Sequence, residues 1–402
     1  MKDGILVINA GSSSVKFSLF LRKKGGQKGM PPKLISHGQV EGINASPHFQ
    51  VKSADGQILC ERRWEEGSTS YEGLFDYLLE WVEDHLGDAR LIATGHRVVH
   101  GGVRHAKPER ITPDLIAELE DLIPLAPLHQ PHNLEPIREV TRLHPGLPQI
   151  ACFDTAFHRS NPWVTQTFAL PRALTDEGVR RYGFHGLSYN YIARTLDEQA
   201  PDIAKARVVV AHLGSGASMC AMKGGKSHAS TMGFTALDGL IMGTRAGALD
   251  PGVLLYLMDH KKMSCKDIET LLYKKSGLLG LSGISPDMRD LIANDDPHAV
   301  EAVELFIHRI CRELGSLSAA LEGLDALVFT AGIGEHSPEV RKMVCERSAW
   351  LGIALDEAAN RTSTSGVISA PDSKVKVMVV PTDEELMIAL AVDELLLAEK
   401  AR

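Results

Sequence analysis

The sequence lacks paired cysteines, long apolar runs and an excess of positive charge, and each absence excludes a class of protein. Its six cysteines are scattered without a Cys-x-x-Cys pair, which indicates reduced thiols rather than a disulfide framework or a zinc site. No segment approaches the roughly 18 apolar residues of a membrane span, and the N-terminal apolar run is too short for a signal peptide. We therefore expect a cytoplasmic protein.

The charge balance is acidic, with a formal net charge of -8. It gives no reason to expect nucleic acid or an anionic membrane as a partner, so local cations must bind any anionic substrate. At 402 residues, 44 % hydrophobic and 23 % charged, the chain is long enough for two or three domains of about 100 to 200 residues each. No low-complexity segment or long linker interrupts it.

A small polar turn near the N-terminus follows a buried strand. Ile5–Ile8 is continuously apolar, and Val15, Phe17 and Leu19 alternate with polar residues after the turn, so the pattern predicts two strands. Gly11 and the serines 12–14 offer a flexible backbone and the donors that hold phosphate oxygens. Lys16 adds a positive charge. The alternative is an ordinary hairpin whose serines only solvate the turn.

The same pattern returns about half a chain later. A buried strand over 208–213, a turn over 214–218 and a returning strand to Met222 repeat the first motif. This duplication predicts two similar α/β domains facing across a nucleotide cleft, with one turn on each side of the phosphates. The alternative is a pair of unrelated hairpins.

A third glycine turn follows the buried strand 326–330 and precedes a helix predicted from Pro338. Strand-to-helix turns of this kind are common nucleotide sites. Residues 233–247 are too rich in glycine for a long helix and too apolar for a solvated linker, so we expect a packed loop. A basic loop is predicted over 22–32, and Thr382 or Asp383 is predicted to cap the C-terminal helix. Further helices are predicted over 69–86, 113–123, 133–144, 267–275, 286–293 and 297–321.

Seven segments in order resemble the acetokinase family, which belongs to the superfamily of acetate and sugar kinases, actin and the heat-shock chaperone ATPases. The resemblance runs nearly end to end. It rests on residues 7–16, 95–102, 153–158, 181–186, 242–245, 329–335 and 381–385.

The resemblance implies an α/β fold of two duplicated ribonuclease H-like (actin-like ATPase) domains. The first would span 1–153, completed by a C-terminal helix over 384–402, and the second would span 154–383. The implied reaction is reversible in-line transfer of the ATP γ-phosphoryl group to acetate, giving acetyl phosphate and ADP. The implied metal is Mg2+, with Mn2+ as a substitute, and the implied assembly is a homodimer through the second domain.

Two arginines suit this chemistry because a carboxylate must approach a polyanionic phosphate. The acid is already ionised at neutral pH, so no general base is needed, and cations must absorb the charge on the transferring oxygens. Arg97 and Arg245 can address carboxylate and phosphoryl oxygens with planar guanidinium groups. The alternative for each is a structural ion pair.

The resemblance also implies roles for a histidine and several acids. His185 would donate a hydrogen bond to the phosphoryl group, although a histidine beside Phe184 is also typical of a protein core. His129 and His212 would have supporting roles. Asp154 and Glu384 would lie near Mg2+, with Asn9 as an outer partner, since Mg2+ prefers oxygen ligands. Asp154 could instead orient Arg97 or acetate, and a phosphorylated Glu384 is the alternative to direct transfer.

Nucleotide and acetate contacts follow from the same resemblance. The nucleotide would contact Ser12, Ser14, Lys16, His212, Leu213, Gly214, Ser215, Gly216, Gly332, Ile333, Gly334 and His336. The acetate pocket would be formed by Arg97, Val99, Leu128, Phe184 and Ala236.

Three positions depart from the family pattern. Ala236 replaces the usual proline, which predicts measurable activity on propionate with acetate still preferred. Ser215 and His336 each stand where the family commonly has asparagine, and His336 could stack on the base or bind the ribose.

Two other functions share parts of this pattern. A chaperone-like or filament-forming ATPase clamp also has duplicated phosphate turns, but it has no obvious use for two arginines beside a small apolar pocket. A sugar kinase would need a base to activate a hydroxyl group.

Overall fold

The computed structural model describes residues 2–11, 14–22, 31–43 and 45–400, and the chain divides into two compact units. Unit 1 comprises Met1–Ala156 and Asp383–Arg402, and unit 2 comprises Phe157–Thr382. Ser12 and most of the predicted loop over 22–32 lie outside the described residues. All six cysteines are free thiols. Among the described helices, none has both the length and the apolar character needed to cross a membrane.

Unit 1 contains one mixed sheet. Its strands are β1 (Asp3–Ala10), β2 (Ser14–Arg22), β3 (Lys33–Glu41), β4 (His48–Ser53), β5 (Ile58–Arg63), β6 (Arg90–Val98), β7 (Glu109–Arg110) and β8 (Gln149–Phe153). Their order is β5-β4-β3-β2-β1-β6-β8-β7. β1 is antiparallel to β2 and parallel to β6, which is parallel to β8. The two strands predicted on either side of the first turn are therefore present and pair with each other.

The helices that pack on this sheet include α1 (Tyr71–Asp84), α2 (Pro113–Asp121) and α3 (Gln130–Leu143). Leu78 and Val82 of α1 are fully buried in one core cluster with Phe17 and Phe49, whose rings lie 5.5 Å apart. α3 begins at Gln130, three residues before the predicted start. Pro131 is tolerated there because the first turn of a helix needs no intrahelical N–H donor.

Unit 2 contains a second mixed sheet. Its strands are β9 (Arg207–Leu213), β10 (Ala217–Lys223), β11 (Lys226–Ser230), β12 (Ala326–Thr330), β13 (Gly366–Val367) and β14 (Lys376–Val379). The order is β11-β10-β9-β12-β14-β13. β9 is antiparallel to β10 and parallel to β12, which is parallel to β14.

The two sheets repeat one topology. The segment β3-β2-β1-β6-β8 in unit 1 has the same strand directions as β11-β10-β9-β12-β14 in unit 2, and each ends in a short antiparallel edge strand. The prediction of an α/β protein with two duplicated domains is confirmed. The glycine turns at Gly11 and Gly214 occupy equivalent places, directly after the first strand of each sheet.

The helices of unit 2 include several that the sequence did not reveal. They are α4 (Trp163–Gln166), α5 (Arg172–Asp176), α6 (Gly186–Gln199), α7 (Pro251–Asp259), α8 (Cys265–Lys274), α9 (Gly277–Ser282), α10 (Met288–Ile292), α11 (Pro297–Ala320), α12 (Ala331–His336), α13 (Pro338–Arg347) and α14 (Glu357–Thr362). The predicted glycine turn after β12 is the short helix α12. The segment 233–247 is a loop without helix or strand, as predicted.

The chain ends in α15 (Glu384–Lys400), which belongs to unit 1. The Asp383 carboxylate accepts a hydrogen bond from the Leu386 amide at 2.8 Å, confirming the predicted cap. α15 packs closely on β6, because a Cβ on Gly95 would lie 2.5 Å from Ile388 and 2.7 Å from Val392. This contact places Glu384 beside the ends of β1 and β6.

Candidate active site

The parallel strands of unit 1 bring several predicted site residues to one edge of the sheet. Asn9 lies at the end of β1, Arg97 at the end of β6, and Asp154 directly follows β8. Because parallel strands share their carboxyl-terminal edge, these side chains converge there. Glu384 joins them from the first turn of α15.

Arg97 is the centre of this group. Its Nε donates to Asp154 Oδ2 at 2.9 Å, its Nη2 donates to the same oxygen, and its Nη1 donates to Asn9 Oδ1 at 3.2 Å. Glu384 Oε2 lies 3.9 Å from Arg97 Nε. Asp154 is completely buried, and its Oδ1 has no hydrogen-bond partner among the described residues. Asp154 is therefore paired with Arg97 through one oxygen, and its other oxygen faces no described donor.

The surroundings shift the pKa values of Arg97 and Glu384 in this group. Burial acts to lower the pKa of Arg97, but the Asp154 and Glu384 carboxylates raise it overall. Burial raises the pKa of Glu384 from 4.5 to about 7, together with repulsion from Asp154 and Glu385 and against attraction from Arg97 and Lys16. Asp154 is therefore the tightly held partner of the guanidinium group, and the Glu384 carboxyl is easier to protonate than a free glutamate.

Asn133 of α3 supports this edge and was not predicted. Its Oδ1 accepts from the Val99 amide at 2.8 Å, and its Nδ2 donates to the Ala10 carbonyl at 2.7 Å. It therefore joins the last residue of β1 to the residue that follows β6. The only sequence signal is an amide residue at the start of an amphipathic helix, which is also typical of solvated positions.

Unit 2 contains a cavity of about 650 Å³. Six residues predicted from the sequence line it, namely Gly214, Ser215, Arg245, Gly332, Ile333 and His336. The predicted Leu213 and Gly334 are buried beside it in β9 and α12. Its other lining residues come from the loop before Arg245, from 286–292 and from Ser337. The stretch 286–292 was predicted only as a helix, although Asp287 is a recognisable N-cap residue.

The loop that carries Arg245 is held by the start of α9. The amides of Ser276, Leu278 and Leu279 donate to the carbonyls of Thr244, Met242 and Gly243 at 3.1, 2.9 and 2.9 Å. Arg245 Nη1 donates to the Ala236 carbonyl at 2.9 Å. The close approach at the start of α9 depends on Gly277, which the sequence analysis did not select.

His185 lies at the start of α6 in the left-handed region, with φ 56°. Its ring stacks on His212 of β9, with centroids 4.2 Å apart and planes 16° apart. Its Nδ1 lies 2.8 Å from Ser218 Oγ on β10. His185, the predicted donor to the phosphoryl group, and His212, predicted to have a supporting role, are thus in direct contact.

His158 holds the backbone next to His185. Its Nε2 donates to the Phe184 carbonyl at 2.9 Å, and its Nδ1 lies 2.8 Å from Ser227 Oγ. The ring is buried, and burial lowers its pKa from 6.5 to about 4. His158 is therefore neutral in the folded protein near neutral pH, and Ser227 can donate to Nδ1.

This buried histidine predicts a pH dependence of stability. Since its folded pKa is about 4 and a free histidine has a pKa of about 6.5, the unfolded chain binds more protons between these values. The free energy of unfolding is therefore highest above pH 6.5 and decreases as the pH falls from 6.5 to about 4, by up to about 1.4 kcal/mol per pH unit for one histidine. We expect the free energy of unfolding, measured by denaturant titration between pH 4 and 8, to depend less steeply on pH in His158→Gln.

The control for that titration is His298, whose side chain is 71 % exposed. His298→Gln should retain the slope of the unaltered protein. An unchanged slope in His158→Gln would show that His158 is protonated in the folded state.

The remaining predicted residues are divided between the units. Ser14 and Lys16 lie on β2, His129 immediately precedes α3, and Val99 and Leu128 are also in unit 1. Phe184, Gly216 and Ala236 are in unit 2. Val99 and Phe184 are buried, whereas Leu128 and Ala236 are partly exposed.

Comparisons with known proteins agree with this architecture. The model of the acetokinase family matches residues 4–390. An acetate kinase of Rhodopseudomonas palustris is 57 % identical over 391 residues, covering 97 % of each chain.

Two solved structures have a fold similar to that of this chain. An acetate kinase of Porphyromonas gingivalis has a TM-score of 0.84 at 38 % identity, covering 98 % of this chain and 100 % of its own. A propionate kinase of Francisella tularensis has a TM-score of 0.88 at 38 % identity, covering 97 % and 98 %. The duplicated sheets and the glycine-lined cavity define a member of the superfamily of acetate and sugar kinases and actin-like ATPases. Within that superfamily, the chain belongs to the acetokinase family.

Proposed function

We propose that this chain catalyses reversible transfer of the ATP γ-phosphoryl group to acetate, forming acetyl phosphate and ADP. The observation that carries the proposal is the 57 % identity to an acetate kinase over 97 % of both chains. The geometry agrees with it, because the arginine that suits the reaction is already oriented by a buried carboxylate. Family membership favours this reaction over an ATPase clamp or a sugar kinase.

Unit 2 binds the nucleotide in this proposal. Its cavity is large enough for a nucleotide and has the apolar Ile333 beside two glycine segments. The side chain of His336 is 70 % exposed and lines the cavity, so it is available to the base or the ribose. Ser215 offers a shorter donor than the asparagine usual in the family.

The chemical step requires positioning and charge neutralisation rather than a base. Acetate attacks the γ-phosphorus in line as a carboxylate, and ADP leaves. Arg97 and Arg245 neutralise the charge on the acetate and the transferring oxygens, while His185 donates a hydrogen bond to the phosphoryl group. Asp154 and Asn9 keep the guanidinium of Arg97 in one orientation.

The donor set of unit 1 fits Mg2+. Glu384, the unpartnered Oδ1 of Asp154 and outer support from Asn9 supply the oxygen atoms this ion prefers. The part of the chain that the structure describes has no cluster of three or more His, Cys, Asp or Glu suited to hold a metal alone, so phosphate oxygens and water would complete the coordination. When bound, Mg2+ or Mn2+ neutralises phosphate charge.

A hydroxamate assay for acetyl phosphate, with ATP, acetate and Mg2+, tests the proposed function. We expect acetate-dependent product and little product when pyrophosphate replaces ATP. Failure to form an acyl phosphate from any short carboxylate would refute the kinase function. Equal activity with pyrophosphate would refute the nucleotide assignment, and an isolable acyl phosphate on Glu384 would refute direct transfer.

Ala236 predicts a lower selectivity for acetate over propionate. It stands where the family usually has proline, and the loss of the ring atoms leaves more room in the acid pocket. One methylene in such a pocket is worth about 1 to 3 kcal/mol. We expect kcat/KM for propionate to be about tenfold below that for acetate, and Ala236→Pro to lower the propionate value by about another tenfold. The substituted proline retains the carbonyl that Arg245 contacts.

The comparison needs acetate, propionate and butyrate under one set of conditions. The acetate value of Ala236→Pro serves as the internal control and should change by less than about threefold. A steep loss at propionate in the unaltered protein would contradict the prediction.

We also propose a cytoplasmic homodimer that acts on small molecules rather than on nucleic acid or membranes. Support for the dimer comes from α7, which has no buried residue and exposes Val253, Leu255, Tyr256 and Met258. An exposed apolar helix face is typical of a protein interface.

Sedimentation should show a dimer that Leu255→Asp converts to monomer, whereas Ile58→Asp, at an exposed apolar position in unit 1, should remain dimeric. A monomer at micromolar concentration in the unaltered protein would contradict the proposal.

A further inference from the structure

Ser218 connects His185 to a buried tyrosine. Its Oγ lies 2.8 Å from His185 Nδ1 and 2.5 Å from the hydroxyl of Tyr189. Tyr189 is one turn after His185 on α6, and its amide donates to the His185 carbonyl at 3.1 Å. Ser218 and Tyr189 are both completely buried. The three side chains therefore form a short chain of hydrogen bonds that runs from the partly buried His185 into the core.

The direction of these hydrogen bonds follows from a count of donors and acceptors. Burial raises the pKa of Tyr189 well above its usual value, so the hydroxyl keeps its proton. Ser218 Oγ is the only hydrogen-bond partner that the described residues provide for it, and a buried donor without an acceptor is costly. Tyr189 therefore donates to Ser218, and the single proton of Ser218 points to His185 Nδ1.

This direction determines the tautomer of His185. Because His185 Nδ1 accepts a hydrogen bond, it carries no hydrogen of its own, and the hydrogen of the neutral ring is on Nε2. A Cβ built on Gly216 would lie 3.4 Å from Nε2, which places that edge of the ring at the turn between β9 and β10. The Nε2–H group is thus beside the predicted phosphate-binding turn.

The ring is also held on one face. His212 stacks on it at 4.2 Å, and His212 Nδ1 lies 2.8 Å from Ser188 Oγ. His212 and Ser218 are cross-strand partners in the β9–β10 register. The face contact and the Nδ1 contact therefore come from adjacent strands and restrict both the tilt and the rotation of His185.

We propose that Ser218 and Tyr189 are positioning residues which hold His185 as the Nε2–H tautomer, the form that donates to the transferring phosphoryl group. This inference rests on the proposed function for its kinetic consequence. The tautomer itself is a property of the protein without substrate.

Two measurements test the inference. In protein labelled with 15N-histidine, two-bond 1H–15N correlations should show His185 with an acceptor Nδ1 and a protonated Nε2. Tyr189→Phe should give a mixture of tautomers, because the Ser218 proton is then free to reverse. Ser227→Ala is the matched spectral control, since it removes the equivalent hydroxyl from His158 and should leave the His185 signals unchanged.

The kinetic test separates positioning from general damage. Ser218→Ala should lower kcat about tenfold or more, with KM values for ATP and acetate within about twofold, and Ser218→Thr should restore most of the loss. In a His185→Gln background, Ser218→Ala should cause no further loss, because its effect acts through the imidazole.

The outcomes distinguish the two proposals. A His185 ring with its hydrogen on Nδ1, or a Ser218→Ala variant with full kcat, would refute the positioning role of Ser218 and Tyr189. Neither result would affect the proposed kinase function. A protein that forms no acetyl phosphate would overturn the proposed function, and the spectra would still decide the tautomer.

Discussion

Replacing Arg97 with lysine should lower kcat/KM for acetyl phosphate formation by about 10³-fold while leaving the protein folded. Lysine keeps the positive charge but loses the planar group that contacts Asp154 through Nε and Nη2 and Asn9 through Nη1. The three N–H donors of an ammonium radiate from one nitrogen, so they cannot occupy the separate places of the three guanidinium nitrogens that meet Asp154 and Asn9. Initial rates with ATP and acetate, together with thermal unfolding, measure the two effects separately.

Arg63 is the matched control, because it lies in unit 1 with its side chain 70 % exposed. Arg63→Lys should change neither rate nor stability. Arg97→Ala is a poorer test, since it would leave the buried Asp154 unpaired and destabilise the fold by about 3 to 5 kcal/mol. A fully active Arg97→Lys variant would show that this guanidinium does not contact the reacting groups.

Gly277→Ala is expected to damage both stability and activity, although Gly277 is not one of the residues lining the cavity. Its φ is 65°, and a Cβ there would lie 2.2 Å from the Met242 carbonyl oxygen and 2.8 Å from the amide nitrogen and carbonyl oxygen of Arg245. All three contacts are with backbone, which cannot rotate away. We expect a loss of about 2 to 4 kcal/mol in unfolding free energy and of about 100-fold in kcat/KM, because the Arg245 loop must shift.

Gly283 gives a close comparison. It ends the same helix, has φ 66°, and a Cβ there would meet no atom within 4 Å. Gly283→Ala should therefore cost only about 1 kcal/mol of backbone strain and keep its activity. Similar activity losses in the two alanine variants would mean that strain, rather than displacement of the Arg245 loop, causes the defect.

Patterns of local sequence were sufficient where the signal lies within one element. The apolar runs of β1, β9 and β12 predicted buried strands, and Asp383 predicted the start of α15. The turn after β12 was predicted less well. Its glycines predicted a turn before a helix from Pro338, but Ala331 has a positive φ and the segment itself forms the short helix α12.

Residues that support the site from a distance could not be predicted in this way. Asn133 connects the ends of two strands that lie far from it in sequence. Ser218 meets both His185 and Tyr189 only because β10 lies beside α6 in the folded unit. In the sequence, each looks like an ordinary helix or strand residue, because its role depends on which groups surround it.

By itself, the sequence determined the α/β class, the duplicated strand–turn–strand motif and the family, since these depend on hydrophobic periodicity and on short motifs. Tertiary structure alone decided that Asp154 pairs with Arg97, that six predicted residues line one cavity in unit 2, and that Ser218 lies within hydrogen-bond distance of both His185 and Tyr189. The physical reason is that a strand pattern follows from neighbouring residues. The direction of a hydrogen bond or the pKa of an acid depends on burial and on partners that are distant in the chain.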